Sequence, residues 1–462
     1  MRIVIVGDGK VGSELSVQLS EEGHDIIVID SNKSVLREAV EALDVMVVHG
    51  NGAALRVQTA ADVAHSDLLI AATSADETNL LCCMLARKLG CPHTIARVRN
   101  MEYASQLFLM KEELGLSMYV NPELTAASEI FRMLQFPSFL QRDSFVKGRV
   151  EIVEFQIRDG SKLIGKKLSD LYRIAKVNVL VCAVERGDEV FIPDGNFMLQ
   201  ERDIVFVTAS TTDLAKLIRN MDIYQRKIKA VMLIGGSRTA IYLARELLDA
   251  GINVKLIEKD EEKSMLLAEI LPSATIILAD GTEKGVLDAE GIEKTDAVVT
   301  LTNMDEENLI ISMYADFVGV PKVVTKINRT EYYEVFRDKG IKSIVSPKEL
   351  CSRDIVRYVR AMQNTLGNAV MTLHRIGQME ALEFHVDENI CCVDITLKDL
   401  KLKKNILIAC IIRGNRILIP KGNDTLENGD DIVVVTTVNR VISDLDEIFD
   451  ESFLREVREG RI

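Results

Sequence analysis

The chain carries the same pattern twice. Arg2-Ile-Val-Ile-Val-Gly-Asp-Gly-Lys-Val-Gly12 returns, altered, as Ala230-Val-Met-Leu-Ile-Gly-Gly-Ser-Arg-Thr-Ala240. Gly7 matches Gly235 and Asp30 matches Glu258 at one offset of 228 (235 − 7 and 258 − 30). Asn51-Gly52 pairs with Asp280-Gly281, Thr73-Ser-Ala-Asp-Glu-Thr-Asn79 with Thr302-Asn-Met-Asp-Glu-Glu-Asn308, and Val120-Asn-Pro122 with Val345-Ser-Pro347. Glu201-Arg-Asp203 pairs in turn with Asn428-Gly-Asp430. So many landmarks near one spacing define a tandem duplication of a unit of about 225 residues, and any fold for this chain has to be built twice.

Each unit reads as two parts. Ile3–Val6, Ile26–Ile29, Val45–Val48, Leu68–Ala71 and Thr94–Val98 are unbroken apolar runs, the pattern of parallel strands covered on both faces. Val11–Glu22, Ser34–Leu43 and Asn79–Leu89 between them have helical spacing. Alternating βα units predict an α/β fold: a Rossmann-like, doubly wound parallel sheet in each copy. Val150–Ile157, Val179–Glu185, Glu189–Ile192 and Ile204–Thr208 alternate with Asp-Gly turns and predict a small α+β module, repeated over about 379–437 and followed by a charged helix to Ile462. The expected parts are 1–122, a crossover helix and linker at 123–148, 149–222, then 228–347, a second crossover and linker at 348–375, and 376–462.

Gly7-Asp8-Gly9-Lys10-Val11-Gly12 follows a strand and opens a helix. In such a loop the first glycine makes the turn, the second lets backbone approach a pyrophosphate and the third lets helix and strand pack. The helix N-terminus offers N–H donors to the anion. Asp30, closing the second strand, is placed for the adenosine ribose hydroxyls and favours NAD over NADP, because it would repel a 2′-phosphate. In the second copy the loop is Gly235-Gly236-Ser237-Arg238-Thr239-Ala240. There Ser237 threatens to crowd a pyrophosphate, while Glu258 keeps the ribose chemistry. Asn51 and Gly52 stand where an adenine edge would sit, with Asp280 as the second copy's counterpart. Thr73 and Ser74 follow the fourth strand, either as ligand contacts or as a helix cap, and Thr302 and Asn303 match them. Arg97 is an isolated cation on the fifth strand, which calls for a phosphate or carboxylate partner; Lys326 takes its place in the second copy.

Composition closes off several alternatives. The net charge is −14, aromatics are 5% and Trp is absent, which argues against nucleic-acid binding and against a basic lipid-binding face. No run approaches the roughly 18 apolar residues of a membrane span, and the N-terminus reads as a core strand, so the expectation is a soluble intracellular chain. The eight Cys lack a C-x-x-C and read as reduced core residues. No metal site is expected. Gly160-Ser-Lys-Leu-Ile-Gly165-Lys-Lys167 nearly spells a P-loop but has Lys where the magnesium-binding Ser/Thr belongs. No acid/base or nucleophile constellation is evident. That points to a sensor rather than an enzyme, with an NAD-dependent oxidoreductase as the alternative.

The order Gly7-Asp-Gly-Lys-Val-Gly12, Asp30, Gly50-Asn-Gly52, Thr73-Ser-Ala-Asp76-Glu77-Thr-Asn79, Ile95-Ala-Arg97 resembles the N-domain of the RCK (regulator of potassium conductance) family. Ser161-Lys-Leu-Ile-Gly-Lys-Lys-Leu, Ile192-Pro-Asp-Gly195 and Glu201-Arg-Asp203 resemble its C-domain. The resemblance covers roughly residues 1–450 in the order N1-C1-N2-C2, similar to cytosolic regulatory subunits of Trk-type potassium uptake. It implies a homo-oligomer, a dimer or tetramer of tandem chains forming a ring, held at the inner membrane face by a separate integral-membrane potassium-transporting subunit. It implies NAD(H), with ATP/ADP as further candidates, bound by the N-domains: phosphates at Gly7 to Val11, ribose at Asp30, and further contacts from Thr73, Ser74 and Arg97. In the second copy the matching positions are Gly235 to Thr239, Glu258, Thr302-Asn303 and Lys326. A regulator of another potassium channel or antiporter is the other reading within the family.

Overall fold

The structure, a computed structural model, describes residues 1–135, 141–145, 149–157, 159–187, 189–220, 227–329, 341, 343–363, 372–376, 379–387, 390, 393–437, 442 and 444–458. The chain divides into two compact units: Met1–Phe131 with Lys229–Val356, and Arg132–Ile228 with Arg357–Ile462. The repeat order along the chain is therefore not the packing order. The two α/β copies share one unit and the two small copies the other.

In the first α/β copy the strands are β1 (Arg2–Val6), β2 (Asp25–Asp30), β3 (Met46–His49), β4 (Leu68–Ala71), β5 (His93–Arg97) and β6 (Met118–Val120). They form one sheet in the order β3-β2-β1-β4-β5-β6. Every pair is parallel, with Ile3 beside Ile26 on one side and Leu68 on the other. Ile3, Val4 and Ile5 are wholly buried, as two covered faces require. Each such side chain contributes about 1.5–3 kcal/mol. The covering helices are α1 (Lys10–Glu21), α2 (Lys33–Ala42), α3 (Leu55–Ala60), α4 (Asp76–Leu89) and α5 (Met101–Met110), followed by α6 (Pro122–Gln135). Helix α2 starts at Asn32, whose side chain accepts from the Ser34 N–H, and α4 stops at Gly90 at φ +115.

In the second unit β7 (Gln141–Phe145), β8 (Val150–Gln156), β9 (Leu180–Arg186), β10 (Glu189–Phe191) and β11 (Ile204–Ser210) make an antiparallel sheet ordered β10-β9-β11-β8-β7, with short helices α7 (Leu171–Ala175) and α8 (Thr211–Asn220). Strand β7 lies in the stretch expected to be crossover and linker. The P-loop look-alike at 160–165 is a surface turn among these strands.

The second copy rebuilds the parallel sheet from β12 (Ala230–Ile234), β13 (Asn253–Glu258), β14 (Thr275–Leu278), β15 (Ala297–Thr300), β16 (Lys322–Lys326) and β17 (Ile344–Val345), in the order β14-β13-β12-β15-β16-β17. Its helices are α9 (Arg238–Asp249), α10 (Glu261–Ile270), α11 (Lys284–Ala289), α12 (Asp305–Phe317) and α13 (Pro347–Gln363). Strands β18 (Thr372–Ile376), β19 (Met379–His385), β20 (Ile406–Arg413), β21 (Arg416–Leu418) and β22 (Asp430–Thr436) repeat the small sheet, and α14 (Glu451–Arg458) follows. The expected end of that helix, 459–462, and Cys391 and Cys392 lie outside the described residues. Cys82, Cys83, Cys91, Cys182, Cys351 and Cys410 are free and buried.

Specific contacts join like to like. Asn121 donates to the Tyr242 hydroxyl at 3.0 Å, Ser128 donates to Glu246 at 2.7 Å, and Lys348 pairs with Glu14 at 3.4 Å. Helix α6 thus reaches α9 of the other copy, and α13 reaches α1. In the second unit one apolar cluster takes Phe145, Ile152, Cys182 and Phe206 from the first sheet and Ala381, Cys410, Ile412 and Val433 from the second. Each small sheet also carries a bidentate ion pair: Arg186 holds Asp203 through Nε and Nη2, both at 2.8 Å, and Arg413 holds Asp430 in the same way.

Candidate functional site

The strand order reverses between β1 and β4, and in an open parallel sheet ligands bind at the carboxyl edge of that crossing point. Gly7 follows β1 and Thr73 follows β4, and the two loops touch. Gly7 has φ +92, and a Cβ there would stand 2.8 Å from the Thr73 nitrogen. A Cβ on Gly12 would stand 1.9 Å from the Gly7 carbonyl oxygen. A Cβ on Gly9 would meet nothing within 4 Å. The three glycines thus divide their work: Gly7 and Gly12 fit the loop against the protein, while Gly9 faces open space. No side chain caps α1 at Gly9, so the helix presents free N–H donors there.

The other residues singled out in the first copy sort by geometry. Asp30 accepts from the Asp8 N–H at 2.8 Å and the Asn32 N–H at 2.7 Å. The acid that would take the ribose therefore also shapes the glycine loop. Lys10 and Ser74 are exposed, and Val11 is buried in the helix–sheet core. Asn51 is exposed and turns its carbonyl to the Ala53 N–H at 2.9 Å. Gly52 is a packing glycine, since a Cβ would reach Val6 at 2.2 Å.

One of the two readings of Thr73 and Ser74 falls. Thr73 and Ser74 do not cap α4: the cap position is Ala75, with no side-chain hydrogen bond. The Thr73 hydroxyl instead donates to Asn79 at 2.6 Å. Arg97 has no ion-pair partner among the described residues. Its Nη1 donates to the Ala72 carbonyl at 3.3 Å, and its Nε is buried with no hydrogen bond. Glu123 pairs with Arg99 instead. Burial, then Arg99, lowers the Arg97 pKa, and Glu123 opposes them.

The second copy keeps the cleft. A cavity of about 240 Å³ is lined by Gly235, Ser237, Glu258, Lys259, Asp280 and Thr302 among others. Gly235 repeats the turn at φ +99, against Thr302. Glu258 accepts from the Gly236 N–H at 2.7 Å and the Asp260 N–H at 2.9 Å. Ser237 does not simply crowd the loop: it caps α9, its hydroxyl accepting from the Ala240 N–H at 3.4 Å. Arg238 is exposed and Thr239 buried. Asp280 accepts from the Thr282 N–H, and Asn303 is exposed at the cleft. Lys326 is buried, its ammonium 3.5 Å from the Leu301 carbonyl. Burial lowers its pKa, against Asp305 and Glu123.

The sequence reading left unexplained a pair of clamps that hold each cleft. Asn79 accepts from the Thr73 N–H and donates to the Arg97 carbonyl at 2.9 Å; Asn308 does the same for Thr302 and Lys326. Asp76 accepts from the Arg99 and Asn100 N–H groups, and Asp305 from those of Asn328 and Arg329. The repeated Asp76/Asp305 and Asn79/Asn308 were the available signal.

The TrkA-N domain matches residues 3–122 and 231–347, and the TrkA-C domain matches 152–222 and 382–450. The chain belongs to the TrkA family. A Trk system potassium uptake protein TrkA homolog of Archaeoglobus fulgidus is 33% identical over 450 residues, 97% of this chain and 100% of the relative. The Trk system potassium uptake protein TrkA of Vibrio alginolyticus is 30% identical over 459 residues, 98% of this chain and 99% of the relative. Among solved structures, the GsuK RCK domain has a TM-score of 0.62 at 17% identity, covering 100% of this chain and 95% of that one. The GsuK channel bound to NAD gives 0.61 at 18%, covering 99% and 79%. At that identity the likeness is one of fold. The Rossmann-like and small antiparallel domains, each present twice, agree with the fold read from the sequence. The names of the TrkA relatives place those proteins in potassium uptake by a Trk system. Among the described residues no helix is long and apolar enough to cross a membrane.

Proposed function

We propose that this TrkA-family chain senses nucleotides and gates a separate Trk-type membrane subunit, with NAD(H) as first ligand and ATP/ADP as competitors for the same clefts. The observation that carries the reading is the uncapped N-terminus of α1 behind Gly9, with open space beside that glycine, at the crossing point of a parallel sheet. The residues present fit a dinucleotide. Gly9 leaves room for a pyrophosphate, the α1 donors face it, and Asp30 keeps lone pairs for ribose hydroxyls. Gly7, Asp8, Lys10, Gly12, Asn51, Thr73, Ser74 and Arg97 complete the proposed first site. The second site is proposed at Gly235, Gly236, Ser237, Arg238, Glu258, Asp280, Thr302, Asn303 and Lys326, with Val11, Gly52 and Thr239 acting through packing.

The clefts are unequal. Ser237 spends on its own helix a donor that Gly9 leaves free, so the second cleft holds a phosphate less firmly. Gating requires that ligands bind two states of the assembly with different affinity. The pairing of α6 and α13 with the opposite copy gives ligand-induced shifts a route between the two α/β copies. Ring assembly into a dimer or tetramer of tandem chains, placement at the inner membrane face and the domain boundaries given above belong to the same proposal. Calorimetric titration of the full chain with NAD⁺, NADH, ADP and ATP tests it. Saturable binding that Asp30→Ala weakens at least about tenfold supports it. Absence of binding, or an Asp30→Ala variant with unchanged affinity, contradicts the site.

A further inference from the structure

Asp8 sits between the two loop glycines with its carboxyl turned inward, only 7% exposed. Its Oδ1 is buried and has no hydrogen-bond partner. Its own N–H is held by Asp30 Oδ2 at 2.8 Å, which brings the Asp30 carboxylate alongside. Three groups face it: Asp30 at the end of β2, Ser16 on α1 and Glu38 on α2. The Ser16 hydroxyl lies 2.9 Å from the Gly12 carbonyl. The same hydroxyl, turned toward Asp8, favours the ionised carboxylate and partly offsets burial and Asp30. Of the neighbouring charged groups, Lys10 on α1 is exposed and His49 on β3 is turned to the Ser31 carbonyl at 3.1 Å. An ionised Asp8 thus meets two carboxylates, Asp30 and Glu38, with Ser16 the one facing group that favours its charge. A protonated Asp8 removes the repulsion from both carboxylates.

We propose that Asp8 takes up a proton when a phosphate-bearing nucleotide enters the first cleft, so that this cleft binds nucleotide and proton together. The proposal rests on reading the cleft as a nucleotide site. Burial and Asp30 already push the empty-cleft carboxyl up to about 6. A pyrophosphate at the α1 N-terminus adds negative charge beside it and favours the neutral form further. By linkage, affinity then falls as pH rises from the free-form value to the bound-form value, at most about tenfold per pH unit for one proton. The second copy has Gly236 at this position, so nothing there takes up the proton.

NAD⁺ is the probe, because its pyrophosphate does not titrate in this range, whereas a terminal phosphate does, near pH 6. The full chain is titrated with NAD⁺ at pH 6.5 in MES and in imidazole, whose ionisation enthalpies differ. Proton uptake by wild type that drops to near zero per NAD⁺ bound in Asp8→Asn, whatever that variant's affinity, supports the proposal. Asp8→Gly, which copies the second loop, should behave like Asp8→Asn and covers the case in which Asp8→Asn fails to fold. Binding by wild type without proton uptake, or unchanged uptake in both variants, overturns the proposal and leaves the cleft reading standing. Absence of NAD⁺ binding by wild type overturns both.

Discussion

The Asn79 amide donates to the Arg97 carbonyl at 2.9 Å, tying the first turn of α4 to the end of β5. Asn79 is wholly buried and also satisfies the Thr73 N–H and hydroxyl. Replacement by Ala takes this partner from the Arg97 carbonyl and the half-buried Thr73 N–H, at about 1–3 kcal/mol for each one stranded. Asn79→Ala should therefore lower stability by about 2–4 kcal/mol, read as a lower urea midpoint. A midpoint equal to wild type would remove the clamp from the account.

Gly9 and Gly12 should separate cleft from scaffold. Gly9→Ala adds a methyl to open space and should change stability by less than about 1 kcal/mol, while weakening NAD⁺ through contact with the pyrophosphate. Gly12→Ala drives a methyl into the Gly7 carbonyl and should cost about 2 kcal/mol or more. Thermal unfolding beside calorimetry reads both. Unchanged NAD⁺ affinity in Gly9→Ala would move the pyrophosphate elsewhere.

Ser237→Gly should release the Ala240 N–H at the α9 N-terminus. The lost cap costs a few tenths of a kcal/mol. The freed donor should strengthen nucleotide binding at the second cleft roughly fivefold, for about 1 kcal/mol per hydrogen bond. The amount of NAD⁺ bound per chain at fixed ligand should rise. No rise would mean that Ser237 does not limit that cleft.

Asp8 also predicts a pH profile of stability. Its carboxyl is pushed from 3.8 up to about 6 by burial and by Asp30. The folded chain keeps a proton there that the unfolded chain releases at lower pH. The stability from this group is full below about pH 4 and is lost as pH rises through 6. Asp8→Asn has no such loss, so its stability relative to wild type should grow by on the order of 1–2 kcal/mol from pH 4 to pH 8. A difference constant with pH would contradict the burial of the charge.

Much of this was legible in the sequence, because the chain states its α/β pattern twice. Continuous apolar runs marked β1, β2 and β4, and the glycine spacing marked the loop after β1. The packing of like against like was not legible, since Asn121 and Tyr242 meet only in three dimensions. The clamps were hidden because an Asn in the first turn of a helix reads as a surface residue. Ser237 was read for its bulk, whereas its oxygen makes the cap. Strand β7 was missed because Gln141-Arg-Asp-Ser-Phe lacks an apolar run, and its place is fixed by pairing with β8.

The central claim is that nucleotide in these clefts controls potassium movement through another protein. Vesicles carrying the Trk-type membrane subunit of the same cell, loaded with this chain, would be titrated with NAD⁺, NADH, ADP and ATP while potassium flux is recorded. The account predicts that flux changes saturably with at least one of these ligands and that Asp30→Ala shifts the response to higher concentration. Flux indifferent to all four ligands, with the chain demonstrably bound to the membrane subunit, would contradict it.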